Sequence, residues 1–147
     1  GKYIHSGYVE RSCLLDYSVL AGAYDVYFED KSVIDKPGQW VKGVRVASGQ
    51  PAEASVAFPA NGVLALTALQ DGAPARALYI VYRSEDGKRL TEGYTDPKRP
   101  VTKQVSPGGY TVRYRIKSPK ERRTEIDVEV APGGRAEAEG DLTAASR

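Results

Sequence analysis

Few side chains of this sequence could act in catalysis or hold a metal ion. The chain has one histidine, His5, and one cysteine, Cys13. A Ser-His-Asp or Cys-His site needs a histidine as its base, and a structural zinc site needs four cysteine or histidine ligands. His5 is therefore the only candidate base, and one chain cannot supply a zinc site by itself. We expect no enzyme activity, no metal centre and no cofactor.

Acidic pairs are the remaining candidates for binding a metal ion. Glu29-Asp30 and Glu85-Asp86 come nearest to a cluster of carboxylates, but neither belongs to the D-x-D-x-D type of loop that holds calcium. Both pairs fall in predicted hairpin turns, where acidic residues are common. Solvated turns are the favoured interpretation, and calcium binding is the alternative.

Aromatic side chains offer a binding chemistry, because exposed rings can stack on the faces of sugars. The chain holds ten tyrosines, two phenylalanines and one tryptophan. Tyr27 falls on the polar side of an alternating stretch and is predicted to point outward. Trp40 stands at a predicted strand start. We name Trp40, Tyr27 and Tyr79 as candidate glycan-binding residues; the competing interpretation is that Trp40 covers an exposed face of its own domain.

Charge and hydropathy exclude two other classes of partner. The formal net charge is +2, which is too small to indicate nucleic-acid binding. The basic run at residues 117–123 is more typical of a solvated hairpin tip. No apolar run reaches the roughly 18 residues of a membrane span. We expect no nucleic-acid partner and no membrane span.

Alternation of apolar and polar residues places most of the chain on strands. Residues 110–115 and residues 125–130 alternate with a period of two, and the polar segment 117–122 between them contains a proline, as a hairpin connection should. If these strands pair, the arginines of one face the carboxylates of the other, for about 0.2–1 kcal/mol per pair. Short strands separated by turns predict an all-β sandwich with almost no helix.

The chain repeats itself. Residues 1–28 align with residues 87–114, and residues 44–54 align with residues 128–138 after a hairpin that is two residues longer in the first copy. Identical residues stand at Gly7 and Gly93, Tyr8 and Tyr94, Gly22 and Gly108, Tyr24 and Tyr110, Val26 and Val112, Val46 and Val130, and Gly49 and Gly133. A period of this size indicates an array of similar domains.

The two copies differ in their first strands. Residues 61–86 carry two predicted strands that have no counterpart in the first copy. We therefore expect an incomplete sandwich repeat at 1–58, a linker at 59–61, a complete repeat at 62–142 and a tail at 143–147. An incomplete sandwich leaves an open edge or an exposed core face. A protein partner, self-association, upstream residues or the second domain could cover it.

A family resemblance adds to this interpretation. The segment 105–112, V-S-P-G-G-Y-T-V, resembles the L-x-P-G-x-Y-x-V signature of bacterial prealbumin-like (transthyretin-like) β-sandwich domains, which include carboxypeptidase regulatory-like and Cna-B-type repeats. Residues 19–26 form a second copy in which Ala21 replaces the proline. The order of motifs is also similar to the repeats that follow von Willebrand A domains in some bacterial proteins.

The resemblance implies a non-catalytic structural or protein-interaction module, such as a spacer or stalk, in a larger periplasmic or cell-surface protein. A carbohydrate-binding accessory module that uses exposed aromatics is the alternative. Many Cna-B-type domains carry a Lys–Asn isopeptide bond, but Asn61 is the sole asparagine and lies in the predicted linker, so we expect no such cross-link. Because Cys13 is the only cysteine, no intrachain disulfide can form, whereas a disulfide between two chains remains an alternative.

Overall fold

The computed structural model describes residue 7 and residues 15–143 of the chain. All the regular elements in this part are β-strands, which confirms the prediction of an all-β protein. No helix long and apolar enough to cross a membrane occurs among the described residues. His5 and Cys13 lie outside them.

The chain divides into two compact units. Gly1–Tyr27 and Trp40–Ser55 form the first unit, and Phe28–Gln39 and Val56–Arg147 form the second. The second unit therefore includes residues 28–39, which the repeat pattern places in the first copy. The domain boundaries expected from the sequence stay a prediction.

The first unit contains most of a two-stranded sheet. Strand β1 (Gly22–Glu29) pairs with β2 (Gly38–Val46). Side chains along β1 alternate between exposed and half-buried, as expected for a strand with one covered face. Tyr27 points outward, which confirms the prediction made from this alternation.

The second unit holds the remaining strands of the described chain. In chain order they are β3 (Gly62–Gln70), β4 (Ala73–Pro74), β5 (Leu78–Arg83), β6 (Arg89–Tyr94), β7 (Val101–Val105), β8 (Gly108–Ile116), β9 (Arg122–Val130) and β10 (Arg135–Asp141). One sheet has the order β10-β3-β4, with β7 also paired to β3; the other has the order β6-β5-β8-β9. Only β10 and β3 among these pairs run parallel. This architecture is consistent with a β-sandwich.

Both sheets contribute to the core of the second unit. Fully buried side chains of this core include Leu64, Leu66, Val81, Val105, Tyr110, Val112, Tyr114 and Leu142. The hydroxyl of Tyr114 donates a hydrogen bond to the buried carbonyl of Ala138, which satisfies the polar end of a ring that is otherwise in apolar surroundings. Gly140 lies against that ring, so a larger residue would collide with it.

The structure confirms one predicted turn and one predicted cross-strand charge pair, and it differs from the prediction at the next pair. Gly87 has a φ of 69°, as the predicted turn at residues 85–87 requires. On the outer face of β8, Arg113 lies opposite Glu125, and their side chains are 2.7 Å apart. The predicted charge ladder is wrong one pair further on, because Arg115 lies opposite Arg123; Arg123 pairs with Glu121 instead.

The contact between Gly140 and Tyr114 gives a test of this core. We expect Gly140→Ala to lower the free energy of unfolding by about 1–3 kcal/mol, because the new methyl group overpacks the core against the ring. Gly109→Ala is the matched control, since its methyl group would meet the flexible end of the Glu129 side chain instead. Urea unfolding of both variants measures the difference. Equal stabilities would contradict the proposed packing.

Candidate functional site

Two predicted site residues lie side by side on the two-stranded sheet of the first unit. The ring centroids of Tyr27 and Trp40 are 4.9 Å apart with an interplanar angle of 48°. The two side chains are 48% and 56% exposed. The rings therefore form an exposed aromatic pair that could contact an apolar face of a ligand.

Tyr79 does not belong to this pair. It is only 3% exposed and is part of the core of the second unit. It alternates along β5 in step with buried Val81, and its hydroxyl lies against Gly93. A buried ring offers no face to a sugar, so its selection as an exposed aromatic was wrong. The polar hydroxyl did not prevent burial, because Tyr79 lies on the inward face of β5 within the core.

A second feature of the first unit is the apolar strip, which we define as Leu15, Tyr17, Val19 and Leu20. All four side chains are exposed, and Leu20 is 85% exposed. Single exposed apolar residues are ordinary, but a short segment that exposes several is a marker of an interaction surface.

Aligned positions of the two copies differ in burial. Val19 is 39% exposed, whereas Val105, its counterpart in β7, is fully buried. Val26 of β1 is half-buried, whereas its counterpart Val112 of β8 is fully buried. The residue types that fill the core of the second unit thus keep part of their surface exposed in the first.

Local geometry, in contrast, agrees between the copies. The Tyr24 hydroxyl donates to the carbonyl of Leu20, and the aligned Tyr110 hydroxyl donates to the carbonyl of Ser106. In each copy the tyrosine hydroxyl thus binds the backbone carbonyl of the residue four positions earlier, as in a tyrosine corner.

The turns that follow the aligned hairpins also agree. Gly49 and Gly133 have φ values of 71° and 66°. One residue further on, Gln50 donates to the carbonyl of Ala47, and Gly134 donates to that of Ala131. These short turns need a glycine at the positive φ in both copies, so the local backbone follows the aligned sequence.

The segment between β1 and β2 forms a further contact within the second unit. The Ile34 amide donates to the carbonyl of Gln104 in β7 at 3.1 Å, and the Asp35 carboxylate accepts the Ser106 amide at 2.9 Å. Val33 and Asp35 are both buried. Sequence reasoning missed this contact; an adjacent apolar pair inside a polar turn was the available signal.

A cleft of about 230 Å³ lies beside this contact. Asp35, Arg83, Glu85 and Tyr110 are among its lining residues. The hydroxyl oxygen of Ser106 is buried there without a hydrogen-bond partner among the described residues. The cleft combines charges of both signs with a tyrosine ring, but it is small for a drug-sized ligand.

Electrostatic effects near the cleft have clear causes. The hydrogen bonds from the Arg83 guanidinium lower the pKa of Asp86 to about 2. Burial raises the pKa of the Tyr110 hydroxyl, and the nearby Asp35 carboxylate adds to this effect. Nowhere in the described chain do three or more His, Cys, Asp or Glu side chains gather so that they could hold a metal ion.

Comparisons with known proteins do not identify a family. No protein-family model matches the chain, and no curated protein matches it significantly. The resemblance to prealbumin-like repeats therefore stays a prediction.

The Asp35 contact gives the second test. We expect Asp35→Ala to destabilise the second unit by about 1–2 kcal/mol, because the Ser106 amide loses its acceptor in a part-buried position. Asp35→Asn keeps an oxygen at this place and should lose clearly less. Thermal unfolding of both variants measures the contribution, and an Asn variant as unstable as the Ala variant would contradict it.

Proposed function

We propose that the chain is a non-catalytic structural or protein-interaction module of a larger periplasmic or cell-surface protein. It consists of two prealbumin-like β-sandwich repeats, of which the second is covered by the sequence from residue 62 onward. The observation that carries the proposal is the exposure of core-type residues in the first unit, above all Val19, whose aligned counterpart Val105 is buried.

The burial difference has an energetic consequence. Each Å² of apolar surface removed from water is worth about 25 cal/mol, so a side chain such as Leu20 gains up to ~2 kcal/mol when a partner covers it. A monomeric protein gains nothing from leaving such side chains in water. Coverage by another polypeptide is therefore the favourable state of the apolar strip.

The tandem arrangement is supported by the matching local geometry of the two copies. The tyrosine corners at Tyr24 and Tyr110 and the glycine turns at Gly49 and Gly133 occur at aligned positions. Local agreement together with different burial is expected when the two copies have different neighbouring strands among the described residues. Repeats of this kind act as spacers and as interaction surfaces, which requires no reactive side chain.

Solution mass tests the proposal. We expect the mass from light scattering to rise with protein concentration, because the apolar strip buries itself between molecules in the absence of its partner. The double variant Val19→Asp/Leu20→Asp should stay monomeric over the same range. Lys42→Asp, an exposed change on β2, is the control and should associate like the parent chain. A parent chain that is monomeric at all concentrations would argue against an interaction surface here.

Carbohydrate binding is the second candidate function, and the adjacent rings of Tyr27 and Trp40 favour it. Trp40 is the sole tryptophan, so its fluorescence reports directly on this site. We expect a bound glycan to change that fluorescence, and Tyr27→Ala to weaken the apparent affinity by about tenfold, since a stacked aromatic contributes about 1–1.5 kcal/mol. Tyr94→Ala, which removes an exposed tyrosine of the second unit, is the control. No response across a broad glycan panel would remove this candidate.

A further inference from the structure

We propose that the outer face of the sheet β6-β5-β8-β9 binds an acidic polysaccharide, one whose sugar residues carry carboxylate groups. The site is the arginine row, which we define as Arg76, Tyr94, Leu78, Arg115 and Arg123. All of these residues belong to the second unit. The inference goes beyond the proposed function, because it involves neither the apolar strip nor the exposed aromatic pair of the first unit.

Strand register brings four side chains of the arginine row into one line. Leu78 of β5 lies opposite Tyr94 of β6 on one side and opposite Arg115 of β8 on the other. Arg115 in turn lies opposite Arg123 of β9. Directly opposed residues of antiparallel strands share a face, and Tyr114, the neighbour of Arg115 along β8, points into the core. The line therefore crosses the outer face of the sheet, on strands about 4.8 Å apart.

The pairing of Arg115 with Arg123 is unfavourable by itself, because like charges directly opposite each other destabilise a sheet. The Glu121 carboxylate offsets part of this charge, since it binds the Arg123 guanidinium at 2.8 Å. That hydrogen bond lowers the pKa of Glu121, and the charges of Arg115 and Lys117 add to the effect. One carboxylate thus lies among three cationic groups, and an added anion would bring the charges closer to balance.

The excess of positive charge is specific to the arginine row. Arg113, two residues before Arg115 on β8, forms an ion pair with Glu125 at 2.7 Å. Neither Arg76 nor Arg115 has an ion pair among the described residues. These two guanidinium groups are therefore available to an anion from outside the described chain.

An aromatic and an aliphatic side chain adjoin the charges. Tyr94 is 57% exposed, and the Arg76 guanidinium lies over its ring, 4.6 Å from the ring centroid. This cation–π contact holds the guanidinium in place, while its N–H donors remain available for bidentate binding of a carboxylate. Half-buried Leu78 follows Tyr94 in the line and precedes Arg115. The row thus combines an apolar surface with two unpaired guanidinium groups.

This combination matches the chemistry of an acidic sugar chain. The apolar face of a pyranose ring packs on aromatic and aliphatic side chains, and a carboxylate on the sugar suits a planar guanidinium. The length of one sugar residue is comparable with the spacing of neighbouring strands, about 4.8 Å. A chain that crosses the strands can therefore meet successive side chains of the row with successive sugars.

Two other anionic polymers fit the row less well. A single-stranded nucleic acid is held by several rings on which successive bases stack, whereas the row exposes one ring, that of Tyr94. An acidic peptide joins a sheet most readily through backbone hydrogen bonds at an open edge. The row lies across the face of its sheet, where β5 and β8 are already paired on both sides, so recognition depends on side chains.

Calorimetric titration of the full chain with hexagalacturonate, an oligosaccharide of uronic acid residues, tests the site. We expect saturable binding that weakens as salt is added, because salt screens exposed charges. The methyl-esterified oligosaccharide keeps the rings without the charges and should bind at least about tenfold more weakly, since charged hydrogen bonds are lost. Hexaglutamate and an oligothymidylate of the same length should also bind at least about tenfold more weakly, because they lack the uronic rings.

Single substitutions locate the binding. We expect Arg115→Gln to weaken hexagalacturonate binding about tenfold through the lost charged hydrogen bond, without lowering the midpoint of thermal unfolding, because it also removes the repulsion from Arg123. Glu121→Gln should strengthen binding severalfold, since it removes the carboxylate that competes for Arg123. Arg135→Gln is the matched control, because it removes one positive charge from β10 in the other sheet; it should bind like the parent chain.

Three outcomes would overturn the inference. They are the absence of saturable hexagalacturonate binding, equal binding of its methyl ester, and equal losses in Arg115→Gln and Arg135→Gln. Binding of hexaglutamate or of the oligothymidylate as tight as that of hexagalacturonate would assign the row to an acidic polypeptide or to a nucleic acid instead.

The site can be separated from the two features of the first unit. Tyr27→Ala alters the exposed aromatic pair and should leave the affinity for hexagalacturonate unchanged. The apolar strip is tested by the solution mass of the Val19→Asp/Leu20→Asp variant, which should bind hexagalacturonate like the parent chain. Failure of the arginine row and failure of the interaction module are therefore distinguishable.

Discussion

The inward row of β8 can be buried only when a strand lies beside it and a second sheet lies across it. Tyr110, Val112 and Tyr114 occupy every second position of that strand, so they share one face. In the second unit β5 provides the neighbour, and β3 and β10 belong to the opposing sheet. The core, the hydroxyl contact of Tyr114 with Ala138 and the need for glycine at position 140 all follow from this arrangement.

In the first unit, the aligned row on β1 has only β2 as a neighbouring strand among the described residues. Val26 remains half-buried in a two-stranded sheet, and Val19 remains exposed although its counterpart Val105 is in the core. Hydrophobic burial is roughly proportional to the area covered, so the two copies obtain different stabilisation from similar residues. This difference supports the proposed interaction surface in the first unit.

In the second unit, the segment between β1 and β2 partly covers the outer edge of β7. The Ile34 amide donates a hydrogen bond to the Gln104 carbonyl of β7, and the Asp35 carboxylate accepts one from the adjacent Ser106 amide. A buried carboxylate with a backbone partner costs less than a free one, which makes this turn a specific anchor. The exposed aromatic pair Tyr27–Trp40 lies elsewhere, on the outward side of the two-stranded sheet.

The sequence by itself determined the local structure. Alternation identified the strands and the outward position of Tyr27, and the glycine at position 87 identified the turn there, because these features depend on neighbouring residues alone. Tertiary structure decided the rest. Tyr79 is buried because it lies on the face of β5 that joins the core, Arg115 faces Arg123 because of strand register, and Asp35 meets Ser106 across a long stretch of chain. Such contacts join residues far apart in sequence, where no local pattern records which partners will meet.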